Sequence, residues 1–229
     1  MPGFFMMDTE EIITLLKQKS SATYLAGMKR FGIEDKYALG ISIPELRKIA
    51  RVIKTDHALA LGLWKTKIHE ARMLASMIDD PLLVTPGQID NWVKDFNSWD
   101  LCDQVCDNLF DRTPFAIEKA IAFSAHQEEF IKRAGFVLMA EFAVHNKTAK
   151  DAIFIELLPI IEREAHDDRN FVKKAVNCAL RQIGKRNNIL KIAAIETANR
   201  ILLQNTKCAK WIARNALNEL TGKLPIINN

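Results

Sequence analysis

Helical periodicity runs through almost the whole chain, and no other pattern competes with it. Leu46, Ile49, Ala50 and Ile53 form an apolar stripe at three-four spacing, the signature of a helix with one buried face. The same spacing predicts helices over 10–19, 24–30, 57–64, 68–78, 85–96, 99–110, 113–124, 128–144, 149–165, 170–185, 189–203 and 207–220. Ser42 is the expected N-cap of a helix with Pro44 in its first turn. Pro86 and Pro114 each follow a threonine, the pattern of a capped start with proline at the first helical position. Pro159 falls inside 149–165 and is expected to kink or split that helix, since proline lacks the N–H that the helical ladder needs. No run alternates as a strand does, so the predicted class is all-α.

The helices pair in sequence. The second member of each pair starts near Ile68, Trp99, Glu128, Asn170 and Lys207, at steps of 31, 29, 42 and 37 residues. Such spacing fits degenerate helical repeats, which stack because no pair buries its own apolar face alone. The expected architecture is a curved solenoid of stacked antiparallel helix pairs, a single repeat domain over 1–229. The second helix of each pair should line the concave side.

The chain's 48% hydrophobic content suits a globular core. No apolar stretch reaches membrane-spanning length, so no membrane association is expected. The four cysteines, Cys102, Cys106, Cys178 and Cys208, are too few for a disulfide scaffold, and a cytoplasmic location is the default. Cys102 and Cys106 share a helix face, but no histidine lies at zinc-ligand spacing, so they read as core residues and no metal is expected. The sequence contains no P-loop, dinucleotide fingerprint, Gly-x-Ser-x-Gly or His-Glu-x-x-His motif, and no cofactor is expected. His69-Glu70-Ala71-Arg72 reads as a polar helix start lying against the core. His57, His126, His145 and His166 read as isolated structural or solvated residues.

Charge is unevenly spread. Residues 169–229 hold 12 of the 32 Lys/Arg but only two acids, Glu196 and Glu219, so they carry +10 while the first 168 residues carry −6. That asymmetry points to an anionic partner for the C-terminal third. Lys132 and Arg133 fall at the start of one second helix, Arg169, Lys173 and Lys174 at the next, and Lys207 and Lys210 at the last. Cations at a helix N-terminus oppose the dipole, so their recurrence makes sense if phosphate docks there. Glu128 and Glu129 weaken the case for Lys132 and Arg133, because they offer partners nearby. Arg181 lies at the other end of its helix, where the dipole alone accounts for it.

Ser98-Trp99-Asp100-Leu101-Cys102-Asp103 holds the one constellation suited to chemistry. Trp99 and Asp103 are four apart and share a helix face. An indole gives a flat wall, and a carboxylate gives negative charge where positive charge develops. The simpler alternative makes Trp99 core and Asp103 a solvated helix residue.

Four segments in order resemble the DNA alkylation-repair proteins of the AlkD type: Ile43-Pro44-Glu45-Leu46-Arg47-Lys48-Ile49-Ala50, Ser98-Trp99-Asp100-x-x-Asp103, Phe130-Ile131-Lys132-Arg133-Ala134, and Phe171-Val172-Lys173-Lys174-Ala175-Val176-Asn177-Cys178-Ala179-Leu180-Arg181. The resemblance spans about residues 20 to 220. It implies HEAT-like (ARM-like) repeats, double-stranded DNA held mainly by its phosphate backbone, and excision of cationic N-alkylated purines such as 3-methyladenine and 7-methylguanine. A monomer is expected. The resemblance assigns the site carboxylate to Asp103, an aromatic wall to Trp99 and a phosphate-contacting arginine to Arg133. Lys132, Lys173, Lys174, Lys210 and Arg181 complete the candidate DNA-binding set. The family's second aromatic falls at Cys178, a departure that removes half of the aromatic cradle. Two alternatives to a glycosylase follow: a non-catalytic module for duplex or branched DNA, and a protein-binding repeat scaffold.

Overall fold

A computed structural model describes residues 7–33 and 36–222, and among them thirteen α-helices and one 3-10 turn account for the regular structure. Contacts cluster into two units, Met1–Thr113 and Pro114–Asn229. The first contains α1 (Thr9–Gln18), α2 (Ala22–Arg30), α3 (Ile43–Ile53), α4 (His57–Lys65), α5 (His69–Ile78), α6 (Pro86–Val93), α7 (Trp99–Asn108) and the 3-10 turn Phe110–Arg112. The second contains α8 (Ala116–Ser124), α9 (Glu129–His145), α10 (Asp151–Glu164), α11 (Asn170–Gly184), α12 (Asn188–Leu203) and α13 (Lys207–Leu220).

In the second unit α9, α11 and α13 pack in succession, and α8, α10 and α12 form the other layer. This is the paired-helix stacking that the repeat spacing predicts, and the second helices start within a residue of their predicted positions. α9 is apolar around most of its circumference because it is packed from several sides, burying Phe136, Leu138 and Met139 among others. Gly135 permits the α8–α9 approach: a Cβ there would lie 2.5 Å from the Ser124 nitrogen and 2.9 Å from the Ala120 carbonyl oxygen. The first unit packs α5 against α3, α4 and α7. Its core includes Trp64 and Trp92 stacked at 3.9 Å, with Phe96 and Phe110 tilted around them. The Arg72 guanidinium lies 5.1 Å from the Trp64 ring centroid and binds Asp95 at 2.8 Å, and the Trp64 indole N–H donates to the same carboxylate.

Two local expectations are corrected, and a third holds in position but not in its side-chain bond. Pro159 does not split its helix: α10 runs unbroken from Asp151 to Glu164. Pro159 and Ile155, whose carbonyl loses its N–H partner, are both exposed, so the helix is not left with a buried unpaired carbonyl. Thr113 does not cap a helix starting at Pro114, because its hydroxyl donates to the Phe110 carbonyl and closes the 3-10 turn; α8 begins at Ala116. Ser42 occupies the N-cap position of α3 without a side-chain bond, whereas Thr85 caps α6 through the Gln88 N–H.

Candidate functional site

The core stripe of α7 is Leu101, Cys102, Val105 and Cys106. Those positions turn Trp99 and Asp103 to the same side, one helical turn apart, and both are half-buried. The indole is fixed: Trp99 Nε1 donates to the Phe31 carbonyl at 3.0 Å. Burial pushes the Cys106 thiol well above its ordinary range, which keeps it protonated.

Asp100 turns toward α5, where its carboxylate meets His69 Nε2 at 2.9 Å. Burial opposes the charge on Asp100, but the bond and charge of His69, together with Ser98 and the Leu101 N–H, outweigh it and hold the carboxyl below its ordinary value. Glu70, almost completely buried, accepts backbone N–H bonds from Leu39 (2.8 Å), Gly40 (2.6 Å) and Ile41 (3.2 Å). The segment after α2 is thereby tied to α5. Gly40 is required in that segment: its φ is +74° and a Cβ would meet the Ser21 carbonyl oxygen at 2.4 Å. Trp99, Asp100, His69 and Glu70 line a cavity of about 490 Å³, whose remaining wall is mainly apolar, including Met28, Phe31 and Met73. Sequence reasoning placed His69 correctly at a buried helix start but missed its partner 31 residues downstream. His57 also has a partner, Asp79 Oδ1 at 2.5 Å, and is not isolated.

In the second unit the candidate cations divide sharply. Lys132 is not a solvent-facing docking group. Its ammonium is buried between Glu164 (2.6 Å) and Asp167 (3.0 Å), not paired with Glu128 or Glu129. Burial raises the Asp167 pKa, but bonds from Arg169 and Lys132 outweigh it and hold the group at about 2. Arg133 is also buried, and its Nη1 donates to the Phe171 carbonyl at 2.6 Å, tying α9 to the start of α11. Arg181 pairs with Glu219, which Lys185 also binds at 2.9 Å. Arg169 is held by Asp167 at 2.6 Å. The cations left facing outward are Lys174 and Lys207, exposed, with Lys173 and Lys210 half-buried. Cys178 is half-buried on α11. The structure adds Trp211, 41% exposed, with the Lys173 ammonium 5.5 Å from its ring centroid. Its signal in the sequence was its position outside the Cys208-Ile212-Ala216 stripe of α13.

Stacked helix pairs of this kind define a HEAT-like repeat protein. Among solved structures, the chain is similar to one described as a new family of proteins related to the HEAT-like repeat DNA glycosylases with affinity for branched DNA structures. The TM-score is 0.74 at 20% identity, covering 85% of this chain and 83% of that one. The chain matches the family model for DNA alkylation repair enzymes over residues 12–220 and belongs to that family. No curated protein matches it.

Proposed function

We propose that the protein is a DNA glycosylase that hydrolyses the N-glycosidic bond of cationic N-alkylated purines. The observation that carries this reading is the Trp99–Asp103 pair, an indole pinned by the Phe31 carbonyl with a half-buried carboxylate one turn beyond it. An N-alkylated purine already bears positive charge, so it takes the C1′–N electron pair and leaves neutral without a strong general acid. The deoxyribose is left as an oxocarbenium-like cation. Asp103 stabilises that charge and accepts the proton of the water that adds at C1′, and Trp99 presents a wall to the sugar. Backbone phosphates are held in the second unit by Lys173, Lys174 and Lys210.

The test is incubation with duplex containing 7-methylguanine, scored for free base. Asp103→Asn keeps the shape and removes the charge, a loss worth about 3 kcal/mol in the transition state, so excision should fall about a hundredfold with binding nearly intact. Lys173→Ala combined with Lys174→Ala should weaken binding at every sequence. Excision by the Asn variant at the parent rate would return Asp103 to the role of a solvated helix residue. Cys178 favours a second reading, a module that binds DNA without cutting it. Parent protein that binds duplex but releases no base supports that reading.

A further inference from the structure

α13 buries Cys208, Ala209, Ile212, Ala213 and Ala216, which leaves Lys207, Trp211 and Arg214 on its outward face at four- and three-residue steps. Trp64 and Trp92 are buried and Trp99 is half-buried, so Trp211 is the one exposed tryptophan of the four. Lys173 reaches over it from α11, beside the exposed Lys174. The acids of this region are mostly engaged. Glu219 is bound by Arg181 and Lys185, and Asp167 by Lys132 and Arg169; Asp168, just before α11, is exposed. A large flat aromatic set among cations is the composition that grips a nucleic-acid strand, with cations on phosphates and the ring against a base.

We infer that this α11–α13 surface binds DNA at an unpaired nucleotide, whose base stacks on Trp211 while Lys173, Lys174, Lys207 and Arg214 hold the flanking phosphates. In an intact duplex both faces of every internal base are covered by its neighbours. An indole therefore finds a free base face only at a gap, a junction or an extruded nucleotide. The Lys173 ammonium already sits over the ring, where it can shift to the phosphate of the stacked nucleotide. The inference rests on the DNA-binding part of the proposed function and adds the structure that is preferred.

The experiment compares two labelled oligonucleotides by fluorescence anisotropy with the full-length protein. One is a dumbbell duplex closed at both ends, and the other has the same sequence with a gap of unpaired nucleotides. The parent should bind the gapped DNA more tightly. Trp211→Ala should lose about tenfold on the gapped DNA, the usual scale of one base–aromatic stack, and less than twofold on the dumbbell. Trp211→Phe should retain most of the preference, and thermal melts confirm that both variants are folded. Equal losses on both DNAs, or no loss on either, overturn the inference while leaving DNA binding intact. Parent protein that binds neither DNA overturns both.

Discussion

Lys132 offers the sharpest test of how its repeat is built. Its ammonium meets Glu164 at 2.6 Å and Asp167 at 3.0 Å, with all three side chains 9% exposed. Removing one member of a buried ionic cluster costs about 3–5 kcal/mol, because the remaining charges stay desolvated. Two partners survive in Lys132→Ala: Arg163 stays 2.7 Å from Glu164, and Arg169 stays 2.6 Å from Asp167. They compensate part of the loss, leaving about 2 kcal/mol. For a chain of this size that lowers the melting temperature by about 4–8 °C, measured by circular dichroism. Lys132→Met with Glu164→Gln, which removes both charges and leaves Asp167 to Arg169, should recover most of it. DNA affinity measured against salt supplies the opposing test. A lysine on a phosphate contributes about 0.9 to the slope of log affinity against log salt, so Lys132→Ala should leave the slope unchanged. A variant with the parent's melting temperature and a slope reduced by about one unit would refute the structural role and restore Lys132 as a phosphate ligand.

Gly135→Ala places a methyl 2.5 Å from the Ser124 nitrogen and forces α8 away from α9. Overpacking of about 1–3 kcal/mol, offset by up to about 1 kcal/mol of helix propensity, should leave a net loss in a denaturant titration; an unchanged midpoint contradicts the close approach. Asp167 is held at about 2 against an ordinary value of 3.8. Its folded-state pKa is depressed, so its stabilising contribution is present above 3.8 and is lost as pH falls toward 2. Asp167→Asn should therefore flatten the fall in melting temperature across that window, and a parent-like acid profile in the variant excludes the contribution.

The sequence revealed the helices because burial of one face writes itself into three-four spacing. It revealed the Trp99–Asp103 side for the same reason, since four residues return a helix to the same face. It could not reveal which basic residues face outward, and two parallel segments show why. Phe130-Ile131-Lys132-Arg133-Ala134 and Phe171-Val172-Lys173-Lys174-Ala175 are locally near-identical, and each lysine is the fourth residue of its helix. Lys132 is buried among carboxylates, whereas Lys173 lies over an exposed indole. The difference comes from residues 32 and 35 positions downstream. After Lys132 these are Glu164 and Asp167; after Lys173 they are Asn205 and Cys208. Asn205 takes a left-handed turn conformation, and Cys208 is buried with its thiol on the Asp167 carbonyl, so neither neutralises an ammonium. The next repeat thus decides the fate of a lysine in the one before it. Where the downstream turn carries two acids, the lysine becomes a strut. Where it carries none, the charge stays available, and the exposed tryptophan beside Lys173 occupies the place where that charge meets solvent.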